Sequence, residues 1–156
     1  AAWKKIDPTI VRVGVIIGEG HEDLIAEAQR AADKYDIELR VQVTTSDQET
    51  LYFFRRMIRD IDGFWLFPDN RILSGRVLGE MLADAKRQQV PVTVPSESML
   101  ELGATLSIST VAADIARTIV KVIREVKSGN IDAVPPITQL SEIRVLTSGA
   151  IQVVDR

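Results

Sequence analysis

The residues best suited to chemistry stand directly behind short apolar runs. The clearest run covers residues 64–67 and is followed at once by Pro68, Asp69 and Asn70. A carboxylate next to a carboxamide can both accept and donate hydrogen bonds to a polar ligand. Asp69 is therefore the strongest single candidate for ligand binding. The simpler interpretation, equally open from this stretch alone, is that Asn70 caps the following helix while Asp69 stabilises its dipole.

Two further polar loops follow apolar runs. Gly18, Glu19 and Gly20 come after residues 10–17, and a Pro-Ser-Glu-Ser loop with Ser96 and Glu97 comes after residues 90–94. The first loop is not a dinucleotide fingerprint, because its third glycine is replaced by an aspartate and its acids would repel a pyrophosphate. Glu97 together with Asp69 favours a cationic group, although Glu97 could instead stabilise the dipole of the turn behind it.

The elements that must position these loops alternate between strand and helix up to residue 103. Apolar runs at residues 10–17, 64–67 and 90–94 indicate buried strands, and the alternation at 37–43 indicates a strand near an edge. Ser46 and Glu49 have the spacing of a capping box, which starts a helix. The pattern predicts an α/β fold with a doubly wound parallel sheet. The carboxyl ends of its strands share one rim, where ligands collect.

The remainder of the chain predicts a strand at residues 104–108 and then a long helix. Ser109 or Thr110 is expected to cap that helix, and Gly129 ends it. An extended linker at 130–136 leads to two short strands at 143–146 and 151–154. We therefore divide the chain into residues 1–103, an α/β ligand-binding lobe, and residues 104–156, a crossover strand with the long helix and the C-terminal strands.

Composition excludes several classes of function. The 156 residues carry a net charge of -3, so no basic excess is present for nucleic-acid phosphates. Cysteine is absent and His21 is the only histidine, which leaves little for thiol catalysis, a zinc site or a Ser-His-Asp arrangement. No catalytic residue, metal site or cofactor is predicted. No run approaches the roughly 20 apolar residues of a membrane span, and no signal peptide is visible.

Several short motifs follow one another between about residues 11 and 154. They are Val13-Gly14-Val15, residues 62–70 with Pro68-Asp69-Asn70 at their end, Val90-Pro91-Val92, Gly103-Ala104-Thr105-Leu106 and Lys127-Ser128-Gly129. In this order they resemble the second half of ABC-transporter substrate-binding proteins of the tryptophan- and aromatic-amino-acid-binding type. That family has the type-I periplasmic binding protein fold, with flavodoxin-like lobes. Pro68 stands where the family usually has threonine, and the first loop is shorter and more acidic than the family's.

The resemblance implies a clamp of two lobes with the ligand held between strand-end loops. Asp69 would face the ligand's amino group, with Asn70 and Ser74 as hydrogen-bond partners and Pro68 in the same loop. Ser96 and Glu97 would lie at the cleft. Gly18 and Glu19 belong to the loop that supplies ligand-binding groups in the family. Residues 104–156 would hold the crossover to the other lobe.

The function implied is recognition of a small molecule, with amino acids as a candidate class, by the substrate-binding component of an ABC importer. An ABC permease is the implied partner, and the implied location is periplasmic or otherwise extracytoplasmic. The alternative is a regulatory or oligomerisation sensor domain of the same fold without a transport role. An enzyme of receiver-like architecture is disfavoured, because it needs a lysine after the fifth strand, where Ser109 and Thr110 stand.

The resemblance implies that the family's first lobe is formed by a long segment ahead of the position of Val11, and ten residues precede Val11 in this sequence. Without that lobe, the apolar side of the helix at 110–127 needs another surface. We therefore expect a homodimer through this helix or the C-terminal strands, a swapped C-terminal segment, or folding of that segment onto the remaining sheet.

Overall fold

A computed structural model describes residues 4, 7–67, 73–135, 138 and 140–147, together with the backbone of 150–155. Strands and helices alternate through the first two thirds of the chain. The elements are β1 (Arg12–Ile17), α1 (Glu22–Asp33), β2 (Glu38–Val43), α2 (Asp47–Met57), β3 (Gly63–Leu66), α3 (Gly75–Gln88), β4 (Val92–Val94), a 3-10 turn (Glu97–Met99) and β5 (Leu106–Thr110).

The described strands form one sheet in the order β2-β1-β3-β4-β5-β6-β7. The first five are parallel to their neighbours in the order 2-1-3-4-5, which is the flavodoxin-like arrangement. The predicted fold class is therefore confirmed. β2 lies at the edge of this sheet, as its alternating sequence predicted.

After β5 the chain turns antiparallel. Helix α4 (Ala112–Lys127) and a 3-10 turn (Ile131–Ala133) lead to β6 (Glu142–Thr147) and β7 (Ala150–Asp155). β6 pairs antiparallel with β5, and β7 with β6. Of the three arrangements that the sequence left open, the C-terminal strands thus take the third and extend this chain's own sheet. The division into two units at residue 103 stays a prediction.

The main core lies between the sheet and the helices α2 and α3. Its aromatic centre is Phe54 of α2 against Phe64 of β3, with ring centroids 4.9 Å apart in an edge-to-face contact. Gly14 of β1 lets this layer approach, because a Cβ there would lie 2.5 Å from the Met57 sulfur. On the opposite face of the sheet, Trp65 packs against Phe67 with ring centroids 4.3 Å apart. Both rings contribute to cores on that face, as predicted.

The predicted start of the long helix is wrong. Ser109 and Thr110 do not cap α4. They belong to β5, where they pair with Arg144 and Ile143 of β6, and the N-cap position falls to Val111 without a side-chain hydrogen bond. β5 therefore runs two residues later than the expected strand at 104–108. For α3, where the sequence left Asn70 open as a cap, the N-cap is Ser74, whose hydroxyl accepts from the backbone N–H of Val77.

No described helix is both long enough and apolar enough to cross a bilayer.

Candidate functional site

The carboxyl ends of the five parallel strands lie along one rim of the sheet. Because β6 is antiparallel to β5, its first residues return to the same rim. The predicted loops behind β1 and β4 therefore share an edge with the start of β6. Topology alone brings together groups that are distant in sequence.

Behind β1 the rim is closely packed. Gly18 is buried, while Glu19 and Gly20 are exposed, and Gly20 has a φ of 81°, which only glycine adopts without strain. A narrow cavity beneath this loop has a volume of about 10 Å³, near the lower limit for one water molecule. The described part of this loop therefore offers a surface to a ligand rather than a pocket, and the ligand role of Gly18 and Glu19 stays a prediction.

The loop behind β3 carries the leading candidates. Pro68, Asp69 and Asn70 lie outside the described residues, so their binding role also stays a prediction. Ser74, the fourth member of that group, is among the described residues and directly precedes α3. Its hydroxyl caps α3, and its backbone N–H donates to the carboxylate of Asp47 at distances of 3.2 and 3.3 Å. These contacts join the N-terminal ends of α2 and α3 next to the rim.

The loop behind β4 forms the best-defined polar cluster at the rim. Glu97 Oε1 accepts a hydrogen bond from Arg144 Nη1 at 3.0 Å and another from Ser109 Oγ at 3.4 Å. The hydroxyls of Ser96 and Ser98 are 2.9 Å apart. Of the two predicted residues of this loop, Glu97 therefore contacts a positively charged side chain, and Ser96 belongs to the same polar cluster. That cation belongs to this chain, since Arg144 is a residue of β6.

Sequence reasoning missed Ser109 and Arg144. The sequence predicts Ser109 or Thr110 as a helix cap and places residue 144 within a short strand, with no site role for either Ser109 or Arg144. The register of β5 against β6 pairs these two residues directly, and this places both beside Glu97. An arginine inside an apolar strand was the available signal, but its partner is 47 positions away in the chain.

Two other carboxylates are held by hydrogen bonds of a structural kind. Asp114 of α4 is buried and accepts from the backbone N–H groups of Ser141 and Glu142 and from the Ser141 hydroxyl. These donors, the Glu142 N–H foremost, lower the pKa of Asp114 below its ordinary value. Asp62 forms a fork with Arg12 at the amino end of β1, and this contact lowers the pKa of Asp62 to about 2. Asp114 thus ties the start of β6 to α4. Asp62 lies at the amino ends of β1 and β3, opposite the rim formed by the carboxyl ends of the parallel strands.

A further cleft lies between α2 and α3. Its volume is about 730 Å³, and four arginines line it together with Tyr52. Arg55 is paired with Glu80 and Asp84, and Arg76 with Glu80. Arg55 and Arg76 are therefore neutralised by acids of α3, and this part of the cleft is an ion-paired seam between two helices.

Comparison with known proteins supports the same fold. Residues 2–151 match the family model of the ABC transporter substrate binding protein. A conserved domain protein from Vibrio cholerae is 19% identical, with a TM-score of 0.63, and the match covers 82% of this chain and 44% of that one. The ABC domain in complex with L-Trp from Streptococcus pneumonia is 18% identical, with a TM-score of 0.67, over 92% of this chain and 49% of that one.

A third solved structure is the ligand-free, open form of a substrate binding protein with adhesive properties from Clostridium difficile. It is 14% identical, with a TM-score of 0.64, over 99% of this chain and 50% of that one. At these identities the likeness shows the fold alone. No curated protein matches the sequence. The chain spans about half the length of the structures it resembles. The match of the family model over nearly all of the sequence shows that this chain belongs to the ABC transporter substrate-binding protein family.

Proposed function

We propose that this chain is the ligand-binding lobe of an ABC importer's substrate-binding component and that it recognises a polar small molecule, with amino acids as the first class to test. The observation that carries this proposal is the polar cluster of Ser96, Glu97, Ser109 and Arg144 at the carboxyl rim of a parallel sheet. The rim of such a sheet is where ligands bind. One structural relative is described in complex with L-Trp, which makes amino acids the natural starting point.

Within this proposal, Asp69 binds the ligand's amino group, with Pro68, Asn70 and Ser74 around it, and Gly18 and Glu19 border the same cleft. Ser96 and Glu97 approach from the loop behind β4. The mechanism is closure around the ligand, driven by contacts that exist only in the closed state. The family match gives no support to the alternative of a sensor domain without a transport role.

Thermal unfolding in the presence of single L-amino acids tests this proposal. A ligand that binds only the folded chain stabilises it by about 2.7 kcal/mol at a concentration of 100 times its Kd. We expect one or a few amino acids to raise the Tm and Asp69→Asn to remove that rise. Asp132→Asn, an exposed carboxylate in the turn after α4, is the matched control and should leave the response intact. A flat response to the whole panel would contradict amino-acid binding.

The remaining partners follow from the family. We propose an ABC permease as the docking partner and an extracytoplasmic location. Co-purification with the permease subunit, and its loss when the ligand is withheld, would test the first. Export of the natural gene product to the cell envelope, followed by fractionation, would test the second.

We also propose self-association through α4. This helix turns Ile119, Val120, Ile123 and Val126 outward, with between 46% and 52% of each side chain exposed. Apolar patches of this kind on a soluble protein mark contact surfaces. Sedimentation at about 0.1 mM protein should show a dimer that Ile119→Glu dissociates. Leu102→Glu, which alters a similarly exposed apolar side chain (59%) on another surface, should leave the dimer intact, and a monomeric wild type would refute the proposal.

A further inference from the structure

The pair of Glu97 and Arg144 is incompletely satisfied on both sides. Both hydrogen bonds to Glu97 go to the same oxygen, Oε1, and Oε2 has no hydrogen-bond partner among the described residues. Arg144 uses one of its five N–H donors in the described contacts. The two side chains are 45% and 41% exposed, so a ligand can reach the unused groups of both.

The charges of this pair select one type of ligand. A simple cation would be attracted by Glu97 but repelled by Arg144, whose charge lies only 3.0 Å away, and a simple anion would meet the reverse. At such a separation the two terms nearly cancel. A molecule that carries an ammonium and a carboxylate on neighbouring atoms gains both attractions, because its own charges are about as far apart as those of the pair.

We infer that Glu97 and Arg144 bind the zwitterionic headgroup of a free amino acid. One N–H of the ligand's ammonium donates to Glu97 Oε2, which leaves its other two donors for the Asp69 carboxylate of the proposed function. The ligand's carboxylate accepts from the unused guanidinium N–H groups of Arg144, whose planar fork matches a carboxylate. The hydroxyls of Ser96, Ser98 and Ser109 border this position and supply further donors and acceptors. The inference rests on the proposed function and narrows it, since it requires both charged ends of the ligand to be free.

A purely structural role would leave a different signature. An exposed ion pair that joins β6 to the turn behind β4 contributes at most a small amount to stability. Its loss would change the Tm slightly and would not distinguish one ligand from its blocked derivatives. Discrimination between such derivatives is therefore the decisive measurement.

Calorimetric titration with each L-amino acid first finds the one that binds most tightly. That amino acid is then compared with its methyl ester, which keeps only the ammonium, and with its N-acetyl form, which keeps only the carboxylate. Each blocked form should bind the wild type about 10- to 100-fold more weakly, as expected for the loss of one charged hydrogen-bonding group. Arg144→Gln should weaken the free acid to a similar extent and leave the methyl ester nearly unchanged, whereas Glu97→Gln should spare the N-acetyl form.

Arg144→Lys keeps the positive charge, so it should bind the free acid more tightly than Arg144→Gln does. This result would show that the weaker binding of the glutamine variant is due to the lost charge and not to misfolding. The matched controls are Arg40→Gln and Glu38→Gln, because these residues form an ion pair of comparable length and exposure on β2. They should behave as wild type. Equal binding of the free acid by wild type and Arg144→Gln would overturn this inference alone. Absence of binding by any amino acid to the wild type would overturn the proposed amino-acid function with it.

Discussion

Replacing Asp62 by asparagine removes a carboxylate that holds the amino end of β1. Asp62 Oδ2 accepts from the backbone N–H groups of Arg12 at 2.8 Å and Val11 at 3.2 Å, and Oδ1 accepts from Arg12 Nη2 at 2.7 Å. Asparagine has nearly the same shape but no charge, and its amide nitrogen would face a donor. The variant therefore tests the charge of Asp62 with little change in packing.

The size of the effect follows from the pKa of Asp62. The Arg12 side chain, foremost, and the backbone N–H groups lower it from 3.8 to about 2. Each pKa unit corresponds to 1.36 kcal/mol, so the upper bound is about 2.4 kcal/mol. Because Arg12 is 43% and Asp62 27% exposed, solvent screening reduces this value, and we expect a loss of about 1 to 1.5 kcal/mol near neutral pH.

The sign of the pH dependence is fixed by the direction of this shift. A carboxylate whose pKa is lower in the folded state stabilises the fold above its unfolded pKa and loses that contribution as the pH falls through its folded pKa. The stability difference between wild type and Asp62→Asn should thus be largest above about pH 4 and shrink towards about pH 2.

Urea unfolding of both proteins across this pH range measures the difference. Asp60→Asn, which alters an exposed neighbouring carboxylate, serves as control and should cost less than about 0.5 kcal/mol. A double-mutant cycle with Arg12→Gln isolates the pair. The reasoning fails if Asp62→Asn is as stable as wild type at neutral pH, or if its deficit does not change with pH.

Two further variants probe the core and the C-terminal hairpin. Gly14→Ala should destabilise the chain by about 1 to 3 kcal/mol in urea unfolding, because the added Cβ would meet the Met57 sulfur at 2.5 Å, and Met57→Ala should recover part of that loss. Asp114→Asn should speed amide hydrogen exchange in β6 while leaving β1 protected, because Asp114 accepts from the backbone N–H groups that begin β6. Exchange in β6 that is as slow in the variant as in the wild type would show that the hairpin does not depend on this carboxylate.

Local chemistry was sufficient to predict the parallel part of the fold. The β-branched apolar run of β1 is typical of a strand covered on both faces. The spacing of Ser46 and Glu49 predicted a helix cap, and in the structure the Ser46 hydroxyl accepts from the Glu49 N–H. Each of these signals lies within one element. Their alternation then left few topologies to consider.

The site depended on pairings that no local signal specifies. Glu97 was found from its position behind β4, but its contact with Arg144 exists only because β6 runs antiparallel to β5 in the observed register. A shift of one residue in that register would turn Arg144 to the other face of the sheet. The sequence of β6 does not specify this register, because its pattern is compatible with more than one partner strand.

Helix α4 was likewise predicted as an element, whereas the side of it that faces the rest of the molecule was not predicted. Residue spacing predicted the amphipathic pattern of this helix. Gly129 predicted its end, because glycine readily adopts the positive φ that is observed there. The spacing did not predict which side of the helix faces inward. In the structure, Asp114 lies on the buried side and accepts a hydrogen bond from Ser141, while Ile119 and Ile123 are exposed. Spacing along a chain reports which residues share a face, whereas the partner of that face is set by contacts between segments far apart in sequence.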